Sequence, residues 1–83
     1  MQSIIRFFPK NRCERASELL YQWAEMGGIE NSAGKLAVSP EQCIFAAQRF
    51  NDAAEKNGEY FNSVIKTPSF TYEERDAIFG LVS

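Results

Sequence analysis

Between Ser39 and Gly58 the apolar positions gather on one side of a helix. At about 100° per residue, Cys43, Ile44, Ala46, Ala47, Phe50, Ala53 and Ala54 share the arc that a core-facing helix buries. The same stretch carries its own start and stop. Ser39 is placed to cap the free amides of the first turn, Pro40 suits the first helical position, and Gln42 completes a Ser-x-x-Gln capping box. Asn57-Gly58 supplies residues that tolerate a left-handed backbone and so closes the other end. The pattern predicts a helix over 40–57. Phe45 falls off the apolar arc, between Glu41, Gln48, Asp52 and Lys56.

A second helical pattern runs over 11–26, with Asn11 as expected cap and Glu14 as its capping-box partner. Cys13, Ala16, Leu19, Leu20, Trp23, Ala24 and Met26 make its apolar face. Glu14, Ser17, Glu18, Tyr21, Gln22 and Glu25 make the opposite one, an acidic stripe holding a tyrosine. Gly27-Gly28 ends the helix. Packed antiparallel, the two helices would form the body of the domain.

The flanks carry shorter patterns. Ile4, Ile5, Phe7 and Phe8 favour a short strand ended by Pro9, although paired apolar residues fit a helical turn as well. Ile29 to Val38 reads as a loop or irregular hairpin around Asn-Ser-Ala-Gly. Tyr60, Phe61, Val64 and Ile65 recur at helical spacing, predicting a short helix up to Lys66, before Thr67-Pro68. Thr71 and Glu74 form a Thr-x-x-Glu box that starts a last helix through Ala77, Ile78, Phe79, Leu81 and Val82. The fold class expected is mainly α: one small domain over 1–83 with three to four helices, and room for a two-stranded β ribbon between 2–8 and 35–38. No repeat stands out along the chain.

Composition sharpens this picture. In 83 residues there are seven Phe, three Tyr and one Trp, and aromatics bring large buried areas that let a small core reach stability without a metal or disulfide. Charge is unevenly placed. Residues 1–15 hold Arg6, Lys10, Arg12 and Arg15 against Glu14, a net +3, while the remainder holds five basic and ten acidic residues, a net −5. An acidic body argues against DNA binding as the main task, because phosphate neutralisation needs a sustained basic face. The early Ile4-Ile5 pair is interrupted at once by Arg6, unlike a secretory leader, and no apolar run approaches the about 20 residues of a membrane-spanning helix. A cytoplasmic protein with no membrane association is the expectation.

Candidate chemistry is sparse. There is no histidine, which removes the commonest general base and metal ligand. Cys13 and Cys43 sit near the starts of the two helices on their apolar faces, where free cysteine behaves as a small hydrophobe. A calcium loop centred on Gly34 fails, since Ile29 and Pro40 would occupy the first and twelfth positions, where carboxylates are required. No catalytic, cofactor-binding or metal site is expected, and the chain is not expected to be an enzyme. The expected function is a protein-binding module, a small acidic inhibitor or adaptor that covers a site on a larger protein partner. Small acidic inhibitor proteins from phages and other mobile elements have this general character, an analogy of type alone that carries no motif match. Candidate partner-binding residues are Phe45, Tyr21, Glu14, Glu18, Glu25 and Tyr72. Phe45 itself supports three readings: cover by the N-terminal segment or the last helix, contact with a partner, or mere exposure. The alternative function is a small nucleic-acid-binding regulator using the basic 6–15 segment. Monomer and homodimer are both compatible with the sequence.

Overall fold

The computed structural model describes residues 7–30, 33–65, 74–75, 78 and 80. Its elements in chain order are β1 (Phe7–Pro9), α1 (Lys10–Glu25), β2 (Ile29–Glu30), β3 (Leu36–Val38), α2 (Pro40–Glu55), β4 (Gly58–Tyr60) and α3 (Phe61–Val64). Helical geometry recurs at Glu74, Arg75, Ile78 and Gly80. The fold is a small α+β domain dominated by helix. The rest of the expected last helix, with Thr71, and the strand expected before Phe7 lie outside the described residues.

The local signals of α2 act as the sequence indicates. The Ser39 hydroxyl accepts from the Gln42 amide at 3.2 Å, and the Gln42 side chain accepts from the Ser39 amide at 3.0 Å. Both donors of the capping box are thus satisfied. α1 starts differently from expectation. It begins at Lys10 with Pro9 as the cap residue, and no side chain caps it. Asn11 lies inside the first turn, its Oδ1 accepting only from the Arg12 amide, so the expected Asn11–Glu14 box is not formed. The C-terminus of α1 closes as a Schellman motif, with Gly28 N–H donating to the Trp23 carbonyl at 2.8 Å and Gly27 N–H to the Ala24 carbonyl at 3.2 Å.

The β1–β4 pairing is one that the sequence did not indicate, whereas β2 and β3 form the irregular hairpin that residues 29–38 suggest. β1 runs antiparallel to β4, with Phe7 opposite Tyr60, Phe8 opposite Glu59 and Pro9 opposite Gly58. β2 pairs with β3, with Ile29 opposite Val38 and a bulge before Glu30. The expected ribbon between 2–8 and 35–38 is therefore replaced by two separate ribbons. Tyr60, expected to be helical with Phe61, is drawn into β4 by its pairing with Phe7.

These pairings reveal a repeat. α1 begins at residue 10 and α2 at residue 40, and each spans 16 residues, a step of 30. Cys13 and Cys43, Ala16 and Ala46, and Leu20 and Phe50 occupy matching buried positions. Gly27 and Asn57 share a positive φ, as do Gly28 and Gly58. Each half is a strand, a helix and a strand, and the first strand of each half pairs with the last strand of the other. The topology is that of an approximate two-fold. It requires antiparallel helices, since β1 leads straight into α1 while its partner β4 follows α2.

Small residues let the helices approach closely. Cys13, Ala16 and Ser17 of α1, and Cys43, Ala46 and Ala47 of α2, are all buried. Ser17 was expected on the polar face but turns only about 40° from Cys13 on the wheel, well inside the buried arc. At the β1–β4 end Phe8 meets Phe50 edge-on at 5.7 Å between ring centroids and Phe61 at 5.8 Å. Each such buried phenyl contributes about 1.5–3 kcal/mol relative to exposure. Phe61, Val64, Ile65 and Ile78 extend this core from the C-terminal part of the chain. Arg49 fastens α3 to α2, its guanidinium donating to the carbonyls of Val64 at 3.0 Å and Ser63 at 2.7 Å. That supplies partners for carbonyls at the end of a helix too short to satisfy them itself. Met26 and Ile44 depart from the expected apolar faces, being 79% and 40% exposed.

Candidate interaction surface

The helix pair has a face on which side chains from both helices reach solvent. Lys10 and Glu14 of α1 line a shallow depression there with Asn51, Ala54 and Glu55 of α2. Because Glu14 and Asn51 correspond to Ile44 and Tyr21 across the 30-residue step, the two-fold relation brings Tyr21 of α1 level with Ile44 of α2 at the other end of the same face. Tyr21 is 39% exposed, and Glu14, Glu18 and Glu25 are exposed on the same flank of α1. The acidic stripe with its tyrosine is thus placed together, Ser17 excepted.

Phe45 is 46% exposed on the side of α2 away from the core, where it borders a depression with Ser39, Glu41 and Gln42. Cover by the rest of the chain is only partial. Ile44, assigned to the core by its place at the edge of the wheel arc, joins this surface instead. No isolated helix pattern could have told which edge a neighbouring helix leaves open. Tyr72 lies outside the described residues.

A second exposed aromatic site was not foreseen. Phe7 and Tyr60 sit opposite one another on β1 and β4, both more than half exposed, with rings edge-on at 5.6 Å. The aromatic content at both ends of the chain was visible, but not the pairing that joins them. Lys10, Arg12 and Arg15 are exposed on the adjoining helix, and Arg6 lies outside the described residues.

Other chemistry is limited. A cavity of about 70 Å³ is ringed by Arg49, Asp52, Lys56 and Glu59. That is well below the about 300 Å³ at which small-molecule pockets begin. The depressions beside Lys10 and Glu14 and beside Phe45 are larger, about 340 and 380 Å³, but shallow and open. Both thiols are free and buried. Burial pushes the Cys43 pKa up to about 11. Cys13 is also raised, chiefly by burial; a backbone hydrogen bond from Glu59 opposes this, and the charges of Glu59 and Glu14 add to it. Its Sγ–H donates to the Phe8 carbonyl at 3.2 Å. Neither thiol is placed to act as a nucleophile, which requires an exposed thiolate. Among the described residues no three His, Cys, Asp or Glu side chains cluster to hold a metal ion, and no helix is long and apolar enough to cross a membrane. No protein-family model, curated protein or solved structure matches the chain.

Proposed function

We propose that the chain is a non-enzymatic protein-binding module, a small acidic inhibitor or adaptor that acts by covering a site on a larger protein. The observation that carries this reading is Phe45. A phenyl ring held nearly half exposed on a regular helix, beside exposed Glu41, resembles the aromatic anchors that dominate interface energetics. The acidic flank of α1 would steer a basic partner and set its register. Tagged wild-type chain should retain a protein from its host that untagged chain displaces, and Phe45→Ala should lose that protein while Arg15→Ala keeps it. Equal retention by both variants would remove Phe45 from the interface.

The second reading, nucleic-acid binding, draws on the Phe7–Tyr60 pair beside Lys10, because exposed rings with adjacent cations can stack bases and hold phosphates. Binding to single-stranded oligonucleotides that weakens steeply with added salt would favour it.

A further inference from the structure

The 30-residue step sets each exposed position of α1 against one of α2, so each half records what the fold accepts at a given place. Several core positions agree across the step, Cys13 with Cys43 and Ala16 with Ala46, and partly buried Ala24 matches buried Ala54. Exposed positions disagree in one direction. Ile44 stands where α1 has Glu14, Phe45 where α1 has Arg15, and Tyr21 where α2 has Asn51. In each case one half satisfies the fold with a polar or charged side chain and the other exposes a large apolar one. Packing therefore does not demand these three apolar side chains.

All three lie toward the same end of the helix pair, beside the β2–β3 ribbon. The two-fold relation that sets Glu14 beside Asn51 sets Ile44 beside Tyr21, and Phe45 follows about 100° further round α2, where it borders the depression with Ser39, Glu41 and Gln42. The charge there is one-sided. From Glu18 to Glu25, in β2, from Ala33 through β3, and from Pro40 to Arg49, the described charged residues are Glu18, Glu25, Glu30 and Glu41 against Lys35 and Arg49, and the Arg49 guanidinium is held on the Val64 and Ser63 carbonyls. A second copy docking through this strip would bring like carboxylates together, which disfavours it. We infer that Tyr21, Ile44 and Phe45 form a docking strip for a segment of a partner protein that combines apolar anchors with lysine or arginine; this rests on the protein-binding reading above. Apolar anchors fill the strip, and the basic side chains meet the surrounding carboxylates.

The test exchanges each residue for the one its counterpart carries: Tyr21→Asn, Ile44→Glu and Phe45→Arg, together in the full chain. Calorimetry with a synthetic peptide of Leu and Lys at helical spacing, and with its Glu-for-Lys analogue, reads the binding. The Lys peptide should bind wild type and the Glu peptide should not, and the triple variant should bind the Lys peptide about thirtyfold more weakly, the loss of one hot-spot residue or more. The denaturant midpoint of the variant should stay near wild type. Undiminished binding by the variant, equal binding of the two peptides, or no binding of the Lys peptide to wild type would overturn the inference. So would a large fall in midpoint, because the apolar side chains would then belong to the fold. A host protein captured by the variant as well as by wild type would sink this strip and leave the protein-binding reading standing. Failure to capture any displaceable host protein would sink that reading itself.

Discussion

Gly28 and Gly58 show at the scale of single residues how tightly the two halves lock together. Both have φ above 100°, and a Cβ on Gly28 would stand 2.4 Å from the Val38 carbonyl oxygen, one on Gly58 2.6 Å from that of Phe8. Neither contact can relax without moving the paired strand. Gly28→Ala should therefore cost about 2 kcal/mol or more, whereas Gly27→Ala, with a similar φ and open space around it, should cost about 1 kcal/mol. Urea denaturation of both variants reads the difference, and equal losses would mean that the close strand approach is not maintained. Phe45 lies at the other extreme. Because its ring is nearly half exposed, Phe45→Ala should lower stability by less than about 2 kcal/mol, short of the about 3–5 kcal/mol for a buried phenyl. A thermal melt showing the larger loss would place Phe45 in the core.

Elements differ in how far local sequence decides them. α2 is decided almost wholly by its own residues, since Ser39, Pro40, Gln42 and Asn57-Gly58 each act within one turn of the backbone they satisfy. Ser39→Ala should cost about 1 kcal/mol, read as a shift of the denaturant midpoint, because it removes a cap that no other side chain replaces. α1 was legible in its length and its end but not in its start, where Asn11 offers the chemistry of a cap while the extended backbone of Pro9 takes the position. The β2–β3 ribbon was legible as an irregular hairpin, but the β1–β4 ribbon was illegible for a different reason. Strands of two or three residues have no measurable alternation, and the partner of Phe8 is Glu59, chosen by the packing of two helices and not by any nearby turn. The candidate surface divides in the same way. Phe45 could be found from its wheel angle alone, whereas Ile44 depended on which flank α1 leaves uncovered, and Phe7 and Tyr60 depended on the strand pairing. The 30-residue repeat was within reach of the sequence, in the matches of Cys13 with Cys43, Glu25 with Glu55 and Gly28 with Gly58, but these are few and widely spaced.

Over the whole molecule, the buried thiols couple stability to pH. An unfolded thiol ionises near 9.0, while the folded pKa of Cys43 is pushed up to about 11 and that of Cys13 is raised in the same direction. Between those values the unfolded chain has lost protons that the folded chain retains, so folding stability falls as pH rises. Stability from this source should be whole below pH 9 and decline up to about pH 11, where the native Cys43 thiol ionises. Cys43→Ala should flatten that alkaline decline in denaturation midpoints measured across pH, and both native thiols should react slowly with a thiol reagent and quickly in denaturant. The exchange of strands between the halves has a separate consequence for the integrity of the chain. Because among the described residues β1 pairs with β4 and β2 with β3, neither strand–helix–strand unit closes a sheet from its own strands. Cutting the backbone between Ala33 and Gly34 should leave two pieces that are each unfolded alone yet recover native helicity when mixed. The covalent link there shortens the search between halves that already specify one another, and a protein nicked at that point should hold together as a heterodimer of its own fragments.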